Sequence, residues 1–380
     1  MKLLKVAFTG LPLFHKKVEI KFAATQRVSA DNAEKMSLLF EEQGKKRYAN
    51  NVLSFIGINA SGKTMVLKAL SFAFALLNNE LIHSTPYPEL FSGLSNDETV
   101  QFDFCFFSHS SLYYLHTEIL KKEKLVITNE TLKEKPLSKI RKKTDLWEES
   151  TASIVLERKN DEAYLLDDVS IIVAFNKKQH EEIRYQDLLQ FTNVNRLSLD
   201  KDCPPELLTF FDPSVEYLRT IPTDKGPAGI LKFYDKPEIH LDRLADADHY
   251  LSSGTIKGIR LFLASIQAFK TGGYLLLDEL ENHFNHEIVS TLIRFYMDPK
   301  VNQAGATLIY STHYAEILDE FERNDNIYLV RNRNGVTVEN LSNLLKRNDI
   351  KKSDAYQSGY LEGTVPLYDA YMALKKSILR

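Results

Sequence analysis

Three short, almost wholly apolar runs stand out from a chain that otherwise mixes apolar and polar residues. They are Val52-Leu53-Ser54-Phe55-Ile56, Tyr274-Leu275-Leu276-Leu277 and Ala306-Thr307-Leu308-Ile309-Tyr310. Short runs of this kind, bounded by turn or polar residues, predict strands buried on both faces of a sheet. A helix is predicted after the first run, from Met65 to Phe74. Another is predicted from Ile256 to Lys270, stopped by Gly272-Gly273 directly before the second run. Near the start, Leu3–Phe8 and Val18–Phe22 read as paired strands around a Gly10-Leu11-Pro12 turn. Residues 25–50 are polar and read as a surface loop or short helix.

The pattern changes between the first and second runs. His83 to Glu98 carries Pro, Ser and Asn and reads as loop. The runs Val100–Phe107, Leu112–Ile119, Leu125–Thr128, Ser153–Glu157 and Ala163–Leu166 then predict an antiparallel meander. Lys133, Lys135, Lys139, Arg141, Lys142 and Lys143 interrupt it. They read as a solvated loop, with contact to nucleic acid or an acidic partner as the alternative. Residues 176–220 read as mostly helical, with Ile183, Leu188, Leu189 and Phe191 on an apolar face. Pro204-Pro205 opens a further helix at Glu206-Leu207-Leu208. Ile230–Phe233 returns to strand. After Tyr310, a helix over Tyr314–Arg323 and a hairpin about Asn334-Gly335 are expected. The expected organisation is an N-terminal lobe over 1–82, the meander over 83–175, a helical insertion over 176–235, a C-terminal lobe over 236–345 and a tail over 346–380.

Composition narrows the class without deciding it. The chain has 380 residues, a formal net charge of −3, 44% hydrophobic residues and 26% charged ones, as in ordinary globular proteins. No apolar run approaches the ~18 residues of a membrane span, and the first residues do not resemble a signal peptide. Only Cys105 and Cys203 occur, in no metal-like spacing. A cytoplasmic, reduced protein is expected.

The chemistry sits at the ends of the three apolar runs. The first runs into Gly57-Ile58-Asn59-Ala60-Ser61-Gly62-Lys63-Thr64, which fits the P-loop template in its strand–turn–helix context. Glycines let the backbone wrap a phosphate, and amide N–H groups of Asn59, Ala60, Ser61 and Gly62 point at the anion. Lys63 reaches the β- and γ-phosphates, and the Thr64 hydroxyl binds Mg²⁺. The second run ends in Asp278-Glu279, a Walker B pattern: Asp278 for the metal, Glu279 to orient or deprotonate water. The third ends in Ser311-Thr312-His313, where a histidine can bond a γ-phosphate or the attacking water.

Taken together these elements resemble the ABC-type ATPase heads, which include the SMC-like and OLD-family ATPases. Leu251-Ser252-Ser253-Gly254 looks like the signature motif, Glu279 like the catalytic glutamate and His313 like the switch histidine. Ser252 to Thr255, Leu277 to Asn282, Ser311 to His313 and Gly359 to Pro366 are similar to the RloA/AbiLi type of abortive-infection ATPases, with PARIS-like subunits as relatives. The resemblance implies an α/β fold, an ABC-type P-loop head with a parallel core sheet plus antiparallel meander and a mostly helical insertion. It implies ATP and Mg²⁺, and an ATP-dependent homodimer or higher homo-oligomer in which Ser252, Ser253 and Gly254 contact nucleotide on a partner. It implies a switch in anti-phage defence acting on a separately encoded nuclease or toxin, with no membrane role. A DNA-binding repair ATPase of the RecF or SMC type is the alternative. A stand-alone nuclease using Asp242, Asp246 and Asp248 is a third reading. The sequence departs from the family in lacking a placeable Q-loop glutamine and in reading Asn285-His286 where His-Pro is usual. It shows no long coiled-coil heptads, and no OLD-type Toprim nuclease is expected in the residues that follow His313 here.

Overall fold

The computed structural model describes residues 1–158, 166–190, 197, 199, 202–224, 226–282, 284–347, 349–364 and 368–379. The three apolar runs lie side by side in it. The core sheet runs in the order Tyr185–Asp187, Tyr274–Leu277, Thr307–Thr312, Val52–Ile56, Ile327–Asn332 and Val336–Asn340. Its first five strands are parallel, and the last is an antiparallel edge. Every residue of Val52–Ile56, Tyr274–Leu277 and Thr307–Thr312 is buried. That is why these strands read as continuous apolar runs: both faces are covered.

Helix Lys63–Leu77 covers one face. It is buried almost all round, because a second sheet lies on its far side. Phe74 packs on Tyr274 of the core sheet at 4.9 Å between ring centroids. Phe72, two residues earlier, packs on Phe102 of the second sheet at 5.2 Å. This second sheet is antiparallel, in the order Val18–Lys21, Lys2–Thr9, Thr99–Ser108, Ser111–Lys121, Leu125–Pro136 and Ser153–Glu157. The other face of the core sheet carries helices Ser253–Thr271 and His286–Met297, joined by contacts such as Phe269 on Tyr296 at 4.6 Å. The paired strands at the start, the meander and the late hairpin form as their patterns predict.

Several local expectations change. Lys133 and Lys135 belong to the strand Leu125–Pro136. Lys135 is 1% exposed, because residues 145–148 fold back and offer carbonyls: its Nζ donates to Asp145 O at 2.7 Å and Glu148 O at 3.0 Å. The solvated-loop reading holds for the exposed Lys139, Arg141 and Lys142. In the stretch expected to be mostly helical, helices occupy Ile172–Gln179 and Pro205–Phe211. Tyr185–Asp187 joins the core sheet, and Val215–Ile221 pairs with Ala228–Phe233, where strand was expected, and through it with Ile239–Leu241 in a three-stranded antiparallel sheet. Apolar runs this short carry too few periods to separate strand from helix. Residues 25–50 hold a helix, Ala30–Glu34, and a hairpin, Ser37–Glu42 with Lys45–Ala49. The helix expected after His313 is 3₁₀ over Ala315–Glu320. Phe191, Ala163 to Leu165 and Val365-Pro366 lie outside the described residues. Among the described residues no helix is long and apolar enough to cross a membrane.

One buried charge ties the meander to the helix that leaves it. Glu130 is fully buried and accepts from Thr117 Oγ1 (2.9 Å), Ser170 Oγ (2.6 Å), Ile171 N (2.8 Å) and Arg158 Nη2 (3.1 Å). Removing one partner of such a pair strands the other without compensation. Glu130→Ala is therefore expected to lower the unfolding free energy in urea by roughly 3–5 kcal/mol. A loss under about 1 kcal/mol, the scale of an exposed pair, would show that this network does not hold the meander.

Candidate functional site

Sheet order assembles the site. The strand ending in Thr312 lies between the strand leading to the P-loop and the strand leading to Asp278. His313, the next residue, therefore emerges between the Gly57–Thr64 loop and Asp278-Glu279. The P-loop bends through two left-handed residues, Ala60 at φ 60° and Gly62 at φ 99°. Gly62 is the N-cap of the helix, and a Cβ there would come within 2.5 Å of the Val336 side chain. Lys63 turns back over the loop. Its Nζ donates to Gly57 O (2.9 Å) and Ile58 O (3.2 Å) and lies 3.1 Å from His313 Nδ1. Burial lowers the pKa of this ammonium, opposed by the carboxylates of Asp278, Glu281 and Glu279.

Asp278 joins the motifs. Thr64 Oγ1 donates to its Oδ2 at 2.7 Å, and Ser311 Oγ donates to its Oδ1. The same Ser311 hydroxyl accepts from Glu279 N at 2.8 Å, while Ser311 O accepts from Leu280 N at 3.1 Å. These bonds hold Glu279 at φ 49°, a left-handed conformation that a residue with a Cβ adopts at a cost in free energy. The Glu279 side chain is bonded by Asn282 Nδ2, and its Oε1 is 3.3 Å from His313 Nε2. The result is a continuous line from Lys63 through His313 to Glu279.

A cleft of about 420 Å³ opens beside this line. Asn59, Ala60, Ser61, Gly62, Lys63, Thr64, Glu279 and His313, all singled out by sequence, line it. Leu13, Asn332 and Val336 also line it, and motif reading missed them. Leu13 arrives because its carbonyl accepts from Val336 N at 2.8 Å, and Asn332 donates to Ala60 O at 3.3 Å. Both contacts span about three hundred residues, so nothing local in sequence announces them. A magnesium ion fits the corner made by Thr64 Oγ1 and Asp278 Oδ2, two hard oxygen donors already in contact. When bound it would neutralise phosphate charge.

Ser252, Ser253 and Gly254 lie elsewhere. Ser252 caps helix Ser253–Thr271, its Oγ accepting from Thr255 N at 3.0 Å. Ser252 and Ser253 are exposed, and none of the three lines the cleft. Asp246 is bound to Arg243 at the start of a 3₁₀ turn, and among the described residues no group of three or more His, Cys, Asp or Glu could hold a metal.

Residues 216–319 match the family described as "AAA domain, putative AbiEii toxin, Type IV TA system". No curated protein matches the chain. Among solved structures it is similar to the SMC head domain from Thermotoga maritima, with 11% identity over 90% of this chain and 99% of that one and a TM-score of 0.45. The matched segment contains Ser252 to Gly254, Asp278, Glu279 and His313, and residues 57–64, which lie outside it, follow the strand Val52–Ile56 beside Thr307–Thr312. The family match thus covers about a quarter of the chain, an AAA-type segment, and in the fold it adjoins a P-loop on the neighbouring strand of a mainly parallel sheet.

Proposed function

We propose that this protein hydrolyses ATP as a dimerising switch in an anti-phage, abortive-infection system and controls a separately encoded effector, a nuclease or toxin. The observation that carries the reading is the split site. The P-loop, Glu279 and His313 line one cleft, with Asp278 bonded to Thr64 beside it, while the capped helix start at Ser252 to Gly254 is not part of that lining and Ser252 and Ser253 are exposed. A helix N-terminus with free amides suits an anion. A second copy, placed head to tail by two-fold symmetry, would bring it to the γ-phosphate held here. In that arrangement Lys63 and the loop amides bind the phosphates, with Thr64 and Asp278 holding Mg²⁺. Glu279 takes a proton from the water that attacks the γ-phosphorus, and His313 holds the phosphate oxygens. ADP and phosphate then leave, and the dimer loosens. The family description, which names a toxin and a toxin–antitoxin system, supports a defence role.

A DNA-binding repair ATPase is the second reading. It is favoured by a basic surface formed where two distant segments meet: Lys45 Nζ donates to Arg141 O at 2.8 Å, beside Arg47, Lys142 and Lys143. Such a surface suits phosphate backbones.

Two outcomes are expected. Lys63→Ala loses ATP binding in a fluorescent-nucleotide titration, whereas Glu279→Gln binds ATP but turns it over at least ~100-fold more slowly. Normal hydrolysis by Glu279→Gln would remove the catalytic glutamate from the account. Specific activity of the wild type rises with protein concentration and is unaffected by DNA. Strong stimulation by DNA would make the repair reading the better one.

A further inference from the structure

One buried ionisable group at the site has no part in the chemistry above. Glu281 is 5% exposed. Its Oε1 accepts from the backbone N–H of His313 at 2.5 Å. Its Oε2 has no hydrogen-bond partner among the described residues. Burying a carboxylate with one oxygen unpaired costs free energy, and an apolar residue would avoid that cost. A buried group left in this condition calls for an explanation.

Position explains the use. The ladder between Thr307–Thr312 and Val52–Ile56 ends at the pair Thr312 with Ile56. His313 is the first residue beyond it, so its N–H has lost the support of the sheet. Glu281, in the turn after the Asp278 strand, supplies the missing acceptor from 32 residues away in sequence. The stakes are set by the ring, which stands between Lys63 Nζ at 3.1 Å and Glu279 Oε1 at 3.3 Å. A shift of the backbone by a fraction of an ångström breaks one of these contacts.

We propose that Glu281 is a positioning residue: it fixes the His313 backbone so that the imidazole meets both Glu279 and the γ-phosphate. This rests on the roles given above to Glu279 and His313. Glu281 acts through an acceptor oxygen at a set distance, and its charge is incidental to that role.

A pair of variants separates placement from charge. Glu281→Gln keeps the acceptor oxygen in place without the charge. Glu281→Asp keeps the charge but withdraws the oxygen by one methylene. In steady-state ATP hydrolysis with a parallel nucleotide titration, Glu281→Gln is expected to keep kcat within about threefold of wild type. Glu281→Asp is expected to lose about 10- to 100-fold in kcat, the range for residues that orient a reacting group, with ATP affinity changed by less than about threefold. Wild-type kcat in Glu281→Asp, an equal loss in both variants, or a loss confined to ATP affinity would each overturn the proposal. Glu279→Gln is run alongside. If it hydrolyses ATP normally, the reading of the site has failed first, and the proposal falls with it. If it is inactive while Glu281→Asp is not, the proposal alone has failed.

Discussion

The structure depends on the Asp278 carboxylate and the two hydroxyls that hold it. One oxygen takes Thr64 Oγ1 from the start of the P-loop helix, the other takes Ser311 Oγ from the neighbouring strand. Hydrogen bonds to a charged acceptor are shorter and stronger than neutral ones, and Asp278 is buried. Three segments from opposite ends of the chain thereby share one fixed point. Ser311 extends the control, since its hydroxyl also accepts from Glu279 N and sets the left-handed turn that aims the glutamate. A single serine thus ties the Asp278 carboxylate to the backbone of Glu279.

The core sheet makes that fixed point possible. Its central strands are buried on both faces, so neither end can slide without moving an apolar layer. Phe72 and Phe74 of the P-loop helix grip the two sheets on either side of it. In this state the Lys63 ammonium is held by loop carbonyls and sits beside His313. Phosphate arriving in the cleft would compete for the same ammonium and so release the histidine.

What could be read from sequence follows from how local each signal is. The P-loop, Asp278-Glu279 and His313 were legible because each lies at the end of an unbroken apolar run, and the runs become adjacent strands. Glu281 was part of a recognised motif, yet its bond to His313 is made between neighbouring strand ends and has no sequence mark. Leu13 and Asn332 enter the cleft through contacts just as remote. Lys135 was misread for the same reason: a lysine looks solvated until a distant loop supplies its acceptors. The strands Tyr185–Asp187 and Val215–Ile221 were missed because runs this short show too little periodicity, whereas Ile230–Phe233 was read as strand.

The central claim is that a complete site needs two copies of the chain. Mixing two inactive variants tests it most directly. Lys63→Ala disables its own P-loop but keeps an intact signature, and Ser253→Arg, at an exposed position, blocks the signature but keeps an intact P-loop. Neither is expected to hydrolyse ATP alone. A mixture is expected to regain turnover, because the mixed dimer holds one unblocked composite site. If Ser253→Arg is fully active by itself, or the mixture stays inactive although the two proteins associate, the site is not shared in this way.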